Sequence, residues 1–251
     1  MTDTLVLAGR ALREGIRTPE AIIPTLFIPL FFLAVNVGQV ARIFPGSTTA
    51  FLHGQGYGAF QLPSSMLLAA SFGSAALFLT EDIVGGYFDK LRAAPVHRSA
   101  LVLGRLLAEG LKVLLIASLI VALGLAFGIR IASGVLGFLL LIVLTAGWAI
   151  VYAGFMQIIA LKTRSAAATN SAGLVFFPLL FLTPNFVPRN LLTHPMEVAA
   201  TINPVTYVME AMRSLILQHF RWETIGLGYL VIAIAAAIML ALSVRVIRNY
   251  D

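Results

Sequence analysis

Apolar runs of about 20 residues constrain this chain more than any other feature of its sequence. A spanning helix needs roughly 20 apolar residues to cross the hydrocarbon core of a bilayer, whereas a membrane β-barrel would show short alternating segments. Hydrophobic residues make up 59% of the 251, and the mean hydropathy is +0.95. We therefore predict an all-α, polytopic membrane protein with six transmembrane helices, forming one transmembrane domain over 1–251. The predicted spans are about 21–41, 59–79, 100–127, 133–160, 171–187 and 225–245.

The distribution of basic residues predicts the orientation of the chain. With six spans, 12 of the 17 Lys and Arg residues fall on the side that holds both termini, and 5 fall on the other. Because cytoplasmic loops carry an excess of Lys and Arg, both termini, the segment 80–99 and the loop 161–170 are predicted to be cytoplasmic, in the cell membrane. The net charge of +6 needs no nucleic acid to explain it, since no long basic run is present.

The N-terminal segment 1–20 predicts an amphipathic helix. Arg10, Arg13 and Arg17 share one helical face, and apolar residues occupy the other. Such a helix lies in the plane of a membrane surface with its arginines toward anionic lipid. A solvated leader helix is the alternative. The interrupting charges distinguish the segment from a cleavable signal peptide.

The segment 80–99 is unusually polar for this chain and predicts a second surface helix, EDIVGGYFDKLRAAPVHRS at 81–99. It enters through a flexible Gly pair and ends before Pro95, since the residue preceding a proline disfavours the α region. An amphipathic helix of this kind suits docking into a groove on a soluble protein, although a solvated loop is also possible. Its apolar face holds Ile83, Tyr87, Phe88 and Leu91, and its charged flank holds Asp82, Asp89, Lys90 and Arg92.

The segment 188–224 is too polar for an ordinary span and too apolar for a plain loop. Asn203-Pro204 breaks it, and Glu197, Glu210 and Arg213 would be costly in lipid. We predict a re-entrant or interfacial helical pair on the outer side, because broken backbone is tolerated at membrane depth where protein buries it. A seventh span is the rival interpretation.

Two blocks of sequence resemble the permease subunits of type-2 ATP-binding-cassette exporters, specifically the drug-resistance permease group. The resemblance covers nearly the whole chain, and the order and spacing of its short motifs carry it. In the first block an acidic residue, a Gly pair, an APVHR turn and a Gly-Arg pair follow one another. The second block consists of TPNFVP at 183–188 and INPVTYVMEAMRSL at 202–215. The first block supplies Glu81, Gly85, Gly86, Pro95, Val96, Arg98, Gly104 and Arg105.

The resemblance implies a mechanism and partners. The helix at 80–99 would be the coupling helix, docking on a separate cytoplasmic ATPase, with two ATPase subunits and a second permease copy or a related chain in the complex. Glu81 and Asp82 would lie where span two meets this helix and pair with Arg92, Arg98 or Arg105. The outer pair, with Asn203 and Tyr207, would line the exit for a hydrophobic or amphiphilic substrate such as a drug, an antibiotic or a lipid.

Other polar and aromatic residues within the spans have a structural and a functional interpretation. Arg105, Glu109 and Lys112 form a stripe at i, i+4 and i+7, for which ion pairing is favoured over substrate contact. For Gln157, packing against a neighbouring helix is favoured over a place on the substrate pathway. The same holds for Phe176, Phe177 and Phe181, although a hydrophobic substrate would want such a surface.

No catalytic or metal-binding pattern is present in the sequence. It has no Cys, no HExxH, scattered histidines and no GxSxG, so neither a metal site nor an enzyme is predicted. It has no GxxxxGK[ST] either, so ATP and Mg²⁺ are expected on the partner ATPase. A self-sufficient, ion-coupled secondary transporter is the alternative. It would more often carry ionisable groups deep in its spans and an internal repeat.

Overall fold

The computed structural model describes residues 2–72, 75–93 and 96–249. These residues form α-helices joined by turns and short 3-10 segments, and no strand occurs among them. Pro95 lies outside the described residues, as does the side chain of Arg92. The helices are α1 (Thr2–Arg17), α2 (Pro19–Val40), α3 (Tyr57–Ser71), α4 (Ala75–Val84), α5 (Tyr87–Ala93), α6 (Arg98–Ala126), α7 (Gly134–Thr163), α8 (Ala166–Gly173), α9 (Phe176–Phe181), α10 (His194–Ile202), α11 (Pro204–Leu217) and α12 (Trp222–Arg248).

Five helical segments of the described chain are long and apolar enough to cross a membrane. They are Ile22–Val40 within α2, Tyr57–Val84 covering α3 and α4, and the helices α6, α7 and α12. Each coincides with a predicted span to within a few residues. Their number and length are those of a multi-pass membrane protein.

The span predicted at 171–187 is not found as one continuous helix. The segment is divided between the short helices α8 and α9, which end at Gly173 and Phe181. At the break, Tyr152 in α7 donates a hydrogen bond to the Gly173 carbonyl at 2.6 Å. A side chain from a neighbouring helix therefore hydrogen-bonds a carbonyl at the end of α8. Pro178 removes a further backbone donor within α9. A sixth crossing therefore stays a prediction.

The second candidate span forms the centre of the bundle. Some 80% of its window is buried, against 11% for α2 and 17% for α12. Trp148 of α7, which is 3% exposed, donates a hydrogen bond from Nε1 to Oγ of Ser71 at 2.9 Å. Apolar side chains on α2 and α12, such as Phe27 and Leu230, remain more than half exposed. Of the five candidate spans, α2 and α12 are therefore the most open to lipid or to another chain.

The two ends of the bundle can be told apart by the segments that meet there. At one end, called the α1 end, Arg98 donates from Nη1 to the carbonyl of Arg248 at 3.2 Å, which joins the start of α6 to the end of α12. At the other, the α11 end, Gln55 donates from Nε2 to the carbonyl of Ile216 at 2.8 Å. The side of the membrane on which each end lies stays a prediction.

Helix α1 packs directly on α6 at the α1 end. Gly104 makes this possible, because a Cβ there would lie 2.9 Å from Cβ of Leu7 and 3.2 Å from the backbone N of Ala8. Ala8 is accordingly buried. The N-terminal helix is thus part of the bundle along one face, while Arg13 and Arg17 are exposed.

The segment 188–224 contains two helices, α10 and α11, separated at Asn203-Pro204. Asn203 caps α11 because its side-chain oxygen accepts from the backbone N of Val205 at 3.0 Å. Its amide also donates to the carbonyls of Leu179 at 2.6 Å and Leu182 at 3.3 Å. One side chain therefore fixes the break and ties it to α9. The depth of this pair in a bilayer stays a prediction.

Candidate functional site

A triad of charges joins three helices at the α1 end. Oδ2 of Asp82 in α4 accepts from Arg105 in α6, and Oδ1 of Asp82 lies 3.5 Å from Nη2 of Arg10 in α1. The Asp82 and Arg105 side chains are 12% and 8% exposed, whereas that of Arg10 is 38% exposed. The predicted pairing of Asp82 with Arg105 is therefore confirmed. Arg10 was expected to face lipid, yet it contacts α4 instead.

Helix α5 follows α4 directly and is fastened to the bundle by its apolar face. Phe88 is 1% exposed and, with Leu91, lines a small crevice against Leu7 of α1 and Leu101 of α6. In this conformation the buried Phe88 ring packs within the bundle, which favours an anchoring role over contact with a partner. The periodicity had indicated an apolar face without indicating what covers it.

Tyr87 begins α5 and links it to α1. The Cζ atom of Arg10 lies 4.1 Å from the centre of the Tyr87 ring, which is within range of a cation–π contact. Tyr87 is also 39% exposed. Arg10 therefore contacts both the carboxylate that ends α4 and the aromatic ring that begins α5.

An exposed surface of α4 and α5 combines charged and apolar residues, and it is here called the docking face. It consists of Glu81, Val84, Asp89 and Lys90, all of which are exposed, Val84 to 73%. Both signs of charge and an exposed apolar side chain are present among these four residues. Protein interfaces likewise combine charged and apolar residues.

A second ion pair lies deeper along α6. Nζ of Lys112 is 2.8 Å from Oε1 of Glu109, and both side chains are less than 10% exposed. The aliphatic stem of Lys112 reaches Gly15 in α1. The charged stripe of α6 is thus used in ion pairing, as predicted.

The residues predicted for a substrate pathway lie in several different environments. Gln157 is fully buried in α7, and neither its amide oxygen nor its nitrogen has a hydrogen-bond partner among the described residues. Phe176 packs edge-on against Tyr152, and Phe177 against Phe72. Phe181 is 42% exposed. Their role in transport stays a prediction.

The residues from the second block have structural partners of their own. Tyr207 donates to the carbonyl of Thr201 at 2.7 Å, so it bridges α11 to α10 across the break that Asn203 caps. Arg189 lies above the Tyr207 ring at 5.3 Å and forms a bidentate pair with Glu210 at 3.1 and 2.8 Å. These contacts give the helical pair a fixed shape.

Arg213 is a buried residue whose role the sequence did not indicate. It is 6% exposed, and its guanidinium donates to the carbonyls of Phe60 at 3.1 Å, Asn185 at 2.9 Å and Pro184. Its Cζ also lies 3.5 Å above the Phe60 ring. The acceptors come from α3 and from the turn after α9, so Arg213 joins α11 to both.

The helical bundle and its charged end define a multi-pass membrane protein. The profile of the ABC-2 type transporter family matches residues 2–217, and the chain belongs to that family, whose members are membrane permeases of ABC transporters. It is 26% identical over 253 aligned residues to the daunorubicin resistance ABC transporter permease protein DrrB1 of Streptomyces coeruleorubidus, covering 99% of this chain and 87% of that one. It is 25% identical over 218 residues to a probable doxorubicin resistance ABC transporter permease protein DrrC of Mycobacterium tuberculosis, covering 85% and 76%.

Proposed function

We propose that this chain is the membrane subunit of an ATP-driven exporter and that a separate ATPase docks at its α1 end. The observation that carries this proposal is the arrangement of α5, which is held to the bundle by Phe88 on one side and presents the docking face on the other. A partner that pushes on α5 would also load α4, to which α5 is joined by a two-residue turn. The triad of Arg10, Asp82 and Arg105 would pass the load to α1 and α6.

The partners follow from the family and from the chemistry that the chain lacks. The sequence contains no GxxxxGK[ST], so two ATPase subunits would bind ATP and Mg²⁺ while this subunit catalyses no reaction itself. The exposed apolar faces of α2 and α12 would accommodate a second copy or a related permease chain. The excess of basic residues that accompanies the termini would place the α1 end and both termini in the cytoplasm, with the complex in the plasma membrane.

The substrate proposed is a hydrophobic or amphiphilic molecule, such as a drug, an antibiotic or a lipid, moved outward. The names of the two relatives refer to resistance to daunorubicin and doxorubicin, which supports this class. Gln157 and the aromatic rings of α9 would contribute to the pathway, and Asn203 and Tyr207 to its exit.

Exchanging the charges of the docking face tests the proposal without changing net charge. The double variant Asp89→Lys with Lys90→Asp is expected to lose a P-loop ATPase that co-purifies near 1:1 with the tagged wild type from native membranes in mild detergent, as judged by mass spectrometry. The control is Arg42→Glu, an exposed charge reversal at the α11 end, which should retain it. If no ATPase accompanies folded wild-type protein, the secondary transporter becomes the better interpretation. If both variants retain it, docking lies elsewhere.

A further inference from the structure

An open cleft of about 940 Å³ lies at the α11 end, away from the docking face. Its walls come from three connections, those between α2 and α3, between α6 and α7, and between α11 and α12. Two arginines, Arg130 and Arg221, line it together with His53 and His219, and no Asp or Glu is among its lining residues. The two guanidinium groups therefore give the lining a net positive charge.

Hydrogen bonds hold the three walls together. Gln55 donates to the carbonyl of Ile216 at 2.8 Å and accepts from the backbone N of Arg130 at 3.0 Å, so a single amide joins the α2–α3 and α6–α7 connections to the end of α11. Gln218 and His53 meet through their nitrogens at 2.9 Å. The positions from which the basic side chains project are thus fixed by the fold.

The arginines of the cleft differ from Arg189 and Arg213 at this end of the molecule. Arg189 is paired with Glu210, and Arg213 is satisfied by buried carbonyls. Arg130 and Arg221 form no ion pair within the described part of the chain, and Arg221 has only a long contact of 3.5 Å to Oε1 of Gln218. Arg130 and Arg221 line the same cleft, and an anion bound there would offset the repulsion between their like charges. Arginine also suits phosphate, because its forked N–H groups bind two oxygens at once.

The backbone of the cleft leaves room for a ligand. Gly54 and Gly128 line it with φ of +79° and +88°, and a Cβ at either would meet no atom within 4 Å. α12, a helix of 27 residues, begins at Trp222 immediately after Arg221, so its N-terminal amides lie near the rim together with the Glu223 carboxylate of its first turn, which offsets part of their positive charge.

We infer that this cleft binds a phosphate group, and that the phosphate belongs to the headgroup of an anionic phospholipid. The aromatic residues beside the cleft favour a lipid over a free ion. Phe127 and Trp222 are 87% and 61% exposed, and Trp222 stacks on Phe220 with ring centres 5.0 Å apart. Exposed aromatic rings next to the ends of membrane helices are typical of the headgroup level.

Lipid retention by the purified full-length chain tests the inference. The protein is equilibrated in mixed micelles of detergent with equal amounts of phosphatidylglycerol and phosphatidylcholine, and retained lipid is counted by native mass spectrometry. Wild type is expected to retain phosphatidylglycerol preferentially. Arg130→Gln with Arg221→Gln should weaken retention about a hundredfold, since each of the two charged hydrogen bonds contributes roughly a factor of ten.

The matched control is Arg42→Gln, which removes an exposed arginine at the same end but outside the cleft and should leave retention unchanged. A melting curve of each variant shows that it is folded. Equal retention of phosphatidylglycerol by wild type and the folded double variant would overturn the inference. If inorganic phosphate stabilises wild type but not the double variant while lipid retention is equal, the cleft binds free phosphate and the lipid assignment is wrong.

Discussion

Asp82 is the residue on which the α1 end depends most. Its carboxylate is shared by Arg10 and Arg105, and it stands at the junction of a candidate span with α5. Buried arginines need a partner, because an unpaired charge away from water is costly. The residue therefore stabilises the fold and connects the docking face to the bundle.

Asp82→Asn should destabilise the protein by about 1–3 kcal/mol, because it leaves the buried Arg105 without its countercharge while preserving the shape of the side chain. The measurement is the melting temperature of the purified protein in detergent. Glu81→Gln is the control, since Glu81 is exposed on the neighbouring position and should melt as wild type does. Equal melting of both variants would show that the triad contributes little to stability.

Gln157 presents the opposite case, a buried amide that makes no hydrogen bond with the described residues. Gln157→Leu should leave the melting temperature unchanged or raise it, because replacing an unsatisfied polar group with an apolar one of similar size removes a desolvation cost. Gln61→Leu is the matched comparison and should lower it, since Gln61 donates to Oη of Tyr57 at 2.9 Å and to the carbonyl of Asn185 at 3.1 Å. A comparable loss in both would mean that Gln157 has a structural partner. A transport defect in a stable Gln157→Leu protein would support its place on the pathway.

At the scale of the elements, α1 shows how a surface helix becomes part of a bundle. The helix periodicity of its arginines predicted an amphipathic element, but not that Gly104 would admit it to within van der Waals contact of α6. The close approach brings Arg10 near α4 and α5. Any displacement of α1 would therefore also disturb the Arg10 contacts with Asp82 and Tyr87.

Gly104→Leu should displace α1, because even a Cβ at this position overlaps Leu7. The expected result is faster trypsin cleavage after Arg10, Arg13 or Arg17 in the purified protein, measured by mass spectrometry of the released peptides. Gly9→Leu places the same side chain on α1 itself, where a Cβ meets nothing within 4 Å, and should be cleaved at the wild-type rate. Unchanged cleavage in Gly104→Leu would mean that α1 packs on α6 differently.

The sequence predicted the long helices better than the short ones. Runs of apolar residues the length of a bilayer define α2, α6, α7 and α12, because length and composition are sufficient for them. The apolar run at 171–187 gave the same signal, yet it is divided after Gly173. Gly173 and Pro178 are local signals of a break, but the hydrogen bond that stabilises it comes from Tyr152, which is distant in sequence.

The candidate site could be predicted only in part, because several of its contacts also join residues that are distant in sequence. The family resemblance implied that Asp82 pairs with Arg92, Arg98 or Arg105, and the structure shows the pair with Arg105. The burial of Phe88 and the inward position of Arg10 depend on how α1, α5 and α6 pack together. Arg213 is satisfied by carbonyls from two separate segments, and only the folded chain brings those together.

At the scale of the whole molecule, the orientation in the membrane is directly measurable, because the chain contains no Cys. Lys90→Cys on the docking face and Thr48→Cys at the α11 end both introduce a single exposed thiol. Since basic residues favour the cytoplasm, a membrane-impermeant maleimide should label Thr48→Cys in intact cells and Lys90→Cys only after permeabilisation. The reverse pattern would invert the proposed topology and place the docking face out of reach of a cytoplasmic ATPase.

The two tryptophans occupy contrasting environments, and this makes the protein its own optical reporter. Trp148 is enclosed beside Ser71 and Phe176, whereas Trp222 is exposed at the rim of the α11 end. A water-soluble quencher or brominated lipid should diminish the emission of Trp222 and spare that of Trp148. Fluorescence could then separate events at the membrane surface from movements inside the bundle during a transport cycle, without any attached dye.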